Sequence, residues 1–491
     1  MISRHDNHFL ILDIIIMKQI ILLLFFALPM LASAQLFDSS TGKTKADTKY
    51  GQVAGYIERG VYTYKGIPYA QAERFQPASA PKPWQGVRSS RHWGPVCPQP
   101  KNHGWRNDQT AFFYQWNDGY ATEDCLRLNI WTKGLNDGRK RPVLFWLHGG
   151  GYTTGNGQEH PGYDGRNLAD KGDVVVVTIN HRLNVLGFLD LSSFGDKYKE
   201  SANLGMTDIV AALRWVKENI AYFGGDPDCV TIFGQSGGGG KVSTLLCMPS
   251  ARGLFHRAMV MSGSFLGSTP QKEAREVGEL TAWYLGLTSE TIDSIQKVPY
   301  ERLLDAATKA FKEVSRRYGD KQLGHGIRLG WGPVNDGSIM PGIFENGSER
   351  ISNTVPLLIG STLTEFSTPK TDDMVRPRVI EQATIRCQDG GAPVYVYLSG
   401  YHVPTMDGNF HACHNSDIPF FFNNVVKSAS MTGATKEGIA LGEKMSSALL
   451  QFARTGNPQV KGLPHWPAFT PETEATMYFD APKCKVTCRD K

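Results

Sequence analysis

An excess of either charge is what this 491-residue chain most plainly lacks. Its 52 lysines and arginines are nearly matched by 47 acidic residues, for a formal net charge of +5, and the basic residues form no stripe. Nucleic-acid binding needs a concentrated basic face, so it is not expected here. None of the eight cysteines falls in a Cys-x-x-Cys pair or another zinc-ligand spacing. No metal and no cofactor are therefore expected. There are no repeats, no low-complexity tract and no convincing interdomain linker. Beyond the N-terminus no segment is apolar enough to cross a membrane.

The N-terminal apolar run has the make-up of a targeting segment. Met17-Lys18 opens a short basic region, residues 20–31 form an apolar core broken by Pro29, and Ala32-Ser33-Ala34 is a small-residue cleavage site. The run is too short to span a bilayer comfortably. Residues 1–34 are read as a signal peptide, with Met17 as the true start, and 35–491 as one domain. A secreted or periplasmic location follows, and export permits disulfides.

Along the rest of the chain, apolar β-branched runs alternate with helix-like segments. Strands are predicted at 143–147, 174–179, 230–233, 258–261, 356–359 and 394–398. The spacing of Ile209, Leu213, Val216 and Ile220 predicts a helix over 206–220. The alternation implies an α/β fold with a mostly parallel sheet covered on both faces, whose working residues lie beyond the carboxyl ends of the strands. Residues 269–321 read as a helical cap.

Two glycine-rich turns carry chemistry. Strand 230–233 runs into Gly234-Gln235-Ser236-Gly237-Gly238, and a helix is predicted after it. A Gly-x-Ser-x-Gly at a strand-to-helix turn is the nucleophile elbow of α/β-hydrolases. Strand 143–147 runs into His148-Gly149-Gly150-Gly151. Such a loop offers bare backbone N–H groups to the negative oxygen of an acyl-transfer intermediate.

Further segments extend the pattern: Gly66-Ile67-Pro68-Tyr69-Ala70, Arg74-Phe75, Glu123-Asp124-Cys125-Leu126, Asn180-His181-Arg182, Phe223-Gly224-Gly225-Asp226-Pro227 and Phe452-Ala453-Arg454-Thr455-Gly456. On these residues the chain resembles the type-B carboxylesterases, the family that includes bacterial and animal carboxylesterases and the cholinesterases. The resemblance implies an α/β-hydrolase fold and cleavage of a small-molecule carboxylic ester through an acyl-enzyme. It makes Ser236 the nucleophile, Glu365 the acid and His414 the base, with Gly150, Gly151 and Gly237 as oxyanion donors. It also implies that Ser262 supports the acid. Phe366 departs from the family's glycine, Asp372 and Asp373 stand nearby as alternative acids, and His411 is a neighbour of His414. A disulfide between Cys97 and Cys125 and a buried Arg74–Glu123 ion pair are implied as well. Cys484 and Cys488 are candidates for a local pair.

Narrower activities stay open: a lipase, a cholinesterase-like enzyme or an esterase for phenolic esters. A non-catalytic binding protein on the same fold is the remaining rival. The loop between Cys97 and Cys125 holds Trp105, Phe112, Phe113, Tyr114, Trp116 and Tyr120. These rings either box a cationic group or pack the loop onto the body, and packing is the expectation.

Overall fold

The computed structural model describes residues 36–100, 108–318, 330–345, 347–365, 375–388 and 390–489. The expected signal peptide, Trp105, Phe366, Asp372 and Asp373 lie outside the described residues.

A twelve-stranded sheet organises the molecule. In chain order its strands are β1 (Phe37–Asp38), β2 (Tyr56–Glu58), β3 (Val61–Pro68), β4 (Arg127–Thr132), β5 (Arg141–Leu147), β6 (Val175–Ile179), β7 (Gly225–Gln235), β8 (Arg257–Met261), β9 (Leu357–Thr362), β10 (Val394–Ser399), β11 (Thr476–Phe479) and β12 (Lys485–Thr487). Their spatial order is β1-β2-β3-β4-β6-β5-β7-β8-β9-β10-β11-β12. From β6 to β11 every neighbouring pair is parallel. The strands outside that block pair antiparallel.

The central strands are buried on both faces, which is why they read as unbroken apolar runs rather than alternating ones. All five residues of β6 are fully buried. β7 starts earlier than 230 because Gly225 also pairs with β5; the register shifts between Gly225 and Val230, and only from Val230 is the pairing continuous. The helix predicted over 206–220 is Leu204–Asn219, and its four spaced apolar residues are fully buried. The stretch read as a cap contains the helices Gln271–Tyr284 and Tyr300–Tyr318, packed on one another.

Other conspicuous segments have structural work. Arg182 grips Asp208 through two bonds of 2.8 and 2.6 Å, both side chains being almost wholly buried. Phe452 to Gly456 ends the helix Lys436–Thr455, where Gly456 takes a left-handed φ of 77° and returns its N–H to Phe452 O.

Two expectations are corrected. Cys97 and Cys125 are free thiols, as are Cys484 and Cys488. The position of the first pair was right and its oxidation state was not: both are buried, and their side chains approach within hydrogen-bonding reach. Arg74 does pair with Glu123, at 2.9 Å from Nε to Oε2. The pair is not buried on both sides, since the Glu123 side chain is 38% exposed.

Candidate active site

The parallel strands end along one edge of the sheet, and five of them, β5, β7, β8, β9 and β10, lead into the site loops. β5 and β7 pair Leu147 with Gly234, β7 and β8 pair Gln235 with Met261, and β9 and β10 pair Thr362 with Ser399. The loops that follow carry His148 to Gly151, Ser236, Ser262, Glu365 and His414.

Ser236 stands between β7 and the helix Gly237–Leu245 with φ 57° and ψ −125°. A side chain rarely adopts this backbone, and the strain is held by the surroundings. The Ser236 N–H donates to Met261 O at 2.8 Å, and its carbonyl accepts from Gly240 N at 2.9 Å. The helix then packs by bare backbone: a Cβ at Gly238 would lie 2.0 Å from Leu147 O. Four successive glycines are poor helix formers, and this close approach is the reason for them.

The loop His148 to Gly151 runs alongside. A Cβ at Gly149 would stand 3.4 Å from the Cβ of Ser236. One at Gly237 would come 2.4 Å from Gly151 N, so these two backbone segments touch. Gly150 has φ 85°, and a Cβ there would meet Thr154 O at 2.1 Å. Only glycine meets both conditions.

Glu365 and His414 come together. His414 Nδ1 lies 2.5 Å from Glu365 Oε2. The other carboxylate oxygen accepts from Ser262 Oγ at 2.6 Å and Thr362 N at 2.8 Å. Burial pushes the Glu365 carboxyl up, but the bonds from His414, Ser262 and Thr362 outweigh it and the net shift is down. The two loops are pinned by a bridge between Glu365 and Cys413 and by Thr364 N donating to Ala412 O. The other ring nitrogen, His414 Nε2, faces the residue before Ser236: Gln235 Nε2 lies 3.2 Å from that atom. The acid therefore fixes an imidazole that lies against Gln235, the residue preceding the strained Ser236.

His411 is not part of it. Its Nδ1 sits 2.6 Å from His402 Nε2 on the exposed surface. The aromatic loop packs inward as expected at two positions: Phe113 stacks on Phe410 at 4.2 Å, and Tyr114 Oη donates to His414 O at 3.1 Å. Phe112 and Tyr120 are exposed.

Other residues at the site escaped the sequence reading. Asp417 is wholly buried, accepts from Tyr397 Oη at 2.8 Å, and is pushed up to about 7 chiefly by burial. Lys241 is also wholly buried beneath the oxyanion loop. It is the single charged residue in the stretch 237–248, and that isolation was the available signal.

A serine on the sharp turn between a central parallel strand and a helix, with acid and histidine supplied by later strand ends, defines an α/β-hydrolase. The chain belongs to the carboxylesterase family, whose model matches residues 42–386 and 371–491. It is 34% identical over 485 residues to the para-nitrobenzyl esterase of Bacillus subtilis (strain 168), covering 88% of this chain and 94% of that protein. It is 31% identical over 484 residues to the phenmedipham hydrolase of Pseudarthrobacter oxydans, with the same coverage. Among solved structures, an esterase from anaerobic Clostridium hathewayi that can hydrolyze aliphatic aromatic polyesters superposes with a TM-score of 0.82 at 35% identity, covering 90% of this chain and 95% of that one. The protein is a carboxylic ester hydrolase.

Proposed function

We propose that the chain is an exported serine carboxylesterase working through an acyl-enzyme on Ser236. His414 Nε2 takes the hydroxyl proton as Oγ attacks the ester carbonyl carbon. Glu365 holds the ring and stabilises the imidazolium. The N–H groups of Gly150, Gly151 and Gly237 receive the carbonyl oxygen as it becomes anionic. The C–O bond to the alcohol then breaks, and His414 returns the proton to the leaving oxygen. Water repeats the sequence on the acyl-enzyme and frees the acid. The observation that carries this reading is the Glu365–His414 pair delivered to the turn of Ser236.

Relatives named for a para-nitrobenzyl ester and for aliphatic aromatic polyesters support an ester with an aromatic part as substrate. The basic, apolar and small-residue succession of residues 17–34 supports export, with maturation to a chain that begins at Gln35. The test of the mechanism is Ser236→Ala assayed on p-nitrophenyl esters in metal-free buffer. It should lower kcat by about four orders of magnitude or more. Wild-type rates in that variant would overturn the proposal.

A further inference from the structure

Beneath the oxyanion loop lies a buried charged cluster that the reaction as described does not use. Lys241 is on the helix Gly237–Leu245, five residues past Ser236, and has no exposed surface. Its Nζ donates to His148 O at 2.9 Å and reaches Gly149 O at 3.4 Å. His148 Nδ1 also lies 3.0 Å from Gly149 O, so that carbonyl is engaged from two sides. The His148 ring stacks on His181 at 5.1 Å. Glu159 approaches the same place: a Cβ at Gly155 would meet His148 Nδ1 at 2.5 Å, Gly149 O at 3.0 Å and Glu159 Oε2 at 3.1 Å.

The Gly149 carbonyl and the Gly150 N–H belong to one peptide unit. In a trans peptide these two groups point in opposite directions. Anchoring Gly149 O downward in the cluster therefore turns the Gly150 N–H away from it, towards the turn of Ser236. A cation on the carbonyl oxygen also withdraws electron density from the amide and strengthens its N–H as a donor, because hydrogen bonds in series polarise one another.

We propose that Lys241 is a positioning residue of the oxyanion site, whose ammonium, held on the carbonyls of His148 and Gly149, aims and polarises the Gly150 N–H towards the oxygen of the tetrahedral intermediate. The proposal rests on the serine-esterase reading above. A lysine serves here because an apolar side chain would leave two buried carbonyls without this donor. The titratable groups around the ammonium are Glu159, His148, His181 and Tyr152, with Tyr163 bonded to Glu159 at 3.0 Å. Burial pulls the ammonium down to about 7, opposed by Glu159, whose own carboxyl is pushed up by burial to about 8, so the two titrate over neighbouring pH ranges. Burial keeps both histidines well below the usual imidazole range, so they are neutral neighbours.

The experiment compares wild type, Lys241→Met, Lys241→Gln and Glu159→Gln. It measures kcat/KM on p-nitrophenyl acetate and Ki for an aryl trifluoromethyl ketone, which forms a tetrahedral oxyanion on a serine nucleophile. Lys241→Met should lower kcat/KM and raise Ki in parallel, each by about 10²-fold, as loss of an oxyanion donor does. Lys241→Gln, a donor without charge, should fall between. Wild-type activity should decline on the alkaline side as Lys241 loses its proton, and Glu159→Gln should move that decline to lower pH. Values within about threefold of wild type in Lys241→Met would overturn the proposal, and so would a loss of rate with Ki unchanged. If neither Lys241 variant folds, an alkaline decline unmoved in Glu159→Gln overturns it. A fully active Ser236→Ala enzyme would sink the serine mechanism itself, whereas a dead Ser236→Ala beside a fully active Lys241→Met rejects this inference alone.

Discussion

In the proposed reaction Ser236 and His414 act as one unit, and their environments say how each should respond to change. Losing either breaks the same proton path, so Ser236→Ala combined with His414→Ala should be scarcely slower than either single variant. His411→Ala should retain the wild-type rate, because that ring lies on His402 away from the acid. Steady-state kinetics of the four variants checks both points, and a dead His411→Ala enzyme would move the base. Asp417 allows a separate test through stability. Its carboxyl is raised from 3.8 to about 7, chiefly by burial. The unfolded chain ionises first, so the folded protein loses stability as pH climbs from about 3.8 through about 7. Asp417→Asn removes that titration. The variant should match wild type near pH 4 and exceed it by about 2–4 kcal/mol near pH 8 in urea unfolding. An equal difference at both pH values would show that Asp417 is ionised throughout.

At the scale of elements, the site depends on strand ends being level and on helices being stopped on time. β5, β7, β8, β9 and β10 end close together, and every site loop leaves from that edge. The helix Lys436–Thr455 backs this sheet, with Leu449, Phe452 and Ala453 fully buried. It starts where Thr435 Oγ1 accepts from Gly438 N at 3.0 Å. Removing that cap with Thr435→Ala should cost about 1 kcal/mol of stability and leave kcat unchanged, since the helix touches no group in the proposed reaction. Chemical denaturation beside a p-nitrophenyl acetate assay tests this. A large fall in kcat at unchanged stability would contradict it.

At the scale of the whole molecule, the proposed export is tested directly. Expressed with residues 1–34 in a bacterial host, the protein should leave the cytoplasm, and N-terminal sequencing should begin at Gln35. The protein, unfolded without reductant, should titrate all eight cysteines as thiols, as in the structure, and a count of six would reinstate one bridge. Retention of the unprocessed chain inside the cell would reject export. No helix among the described residues is long and apolar enough to cross a membrane.

Much of the fold was legible because burial on both faces leaves a plain record. Runs such as 174–179 and 394–398 are almost wholly β-branched or aromatic, with almost no polar residue, and sequence alone marks them as central parallel strands. The two glycine turns were legible for a related reason: backbone packed against backbone excludes a Cβ, as at Gly238 and Gly150, so the constraint is written in the residue type itself. Glu365 and His414 were legible only through resemblance, because nothing local distinguishes a carboxylate or imidazole that will face a partner 49 residues away. The choice of His414 over His411 came through the same resemblance; tertiary structure bonds the first ring to Glu365 and the second to His402. What belonged to tertiary structure alone was the exposure of Glu123 and the burial of Asp417 and Lys241. A charged side chain reads as solvated surface in sequence. What decides otherwise is the set of carbonyls, hydroxyls and N–H groups the fold brings around it, and those come from distant strands.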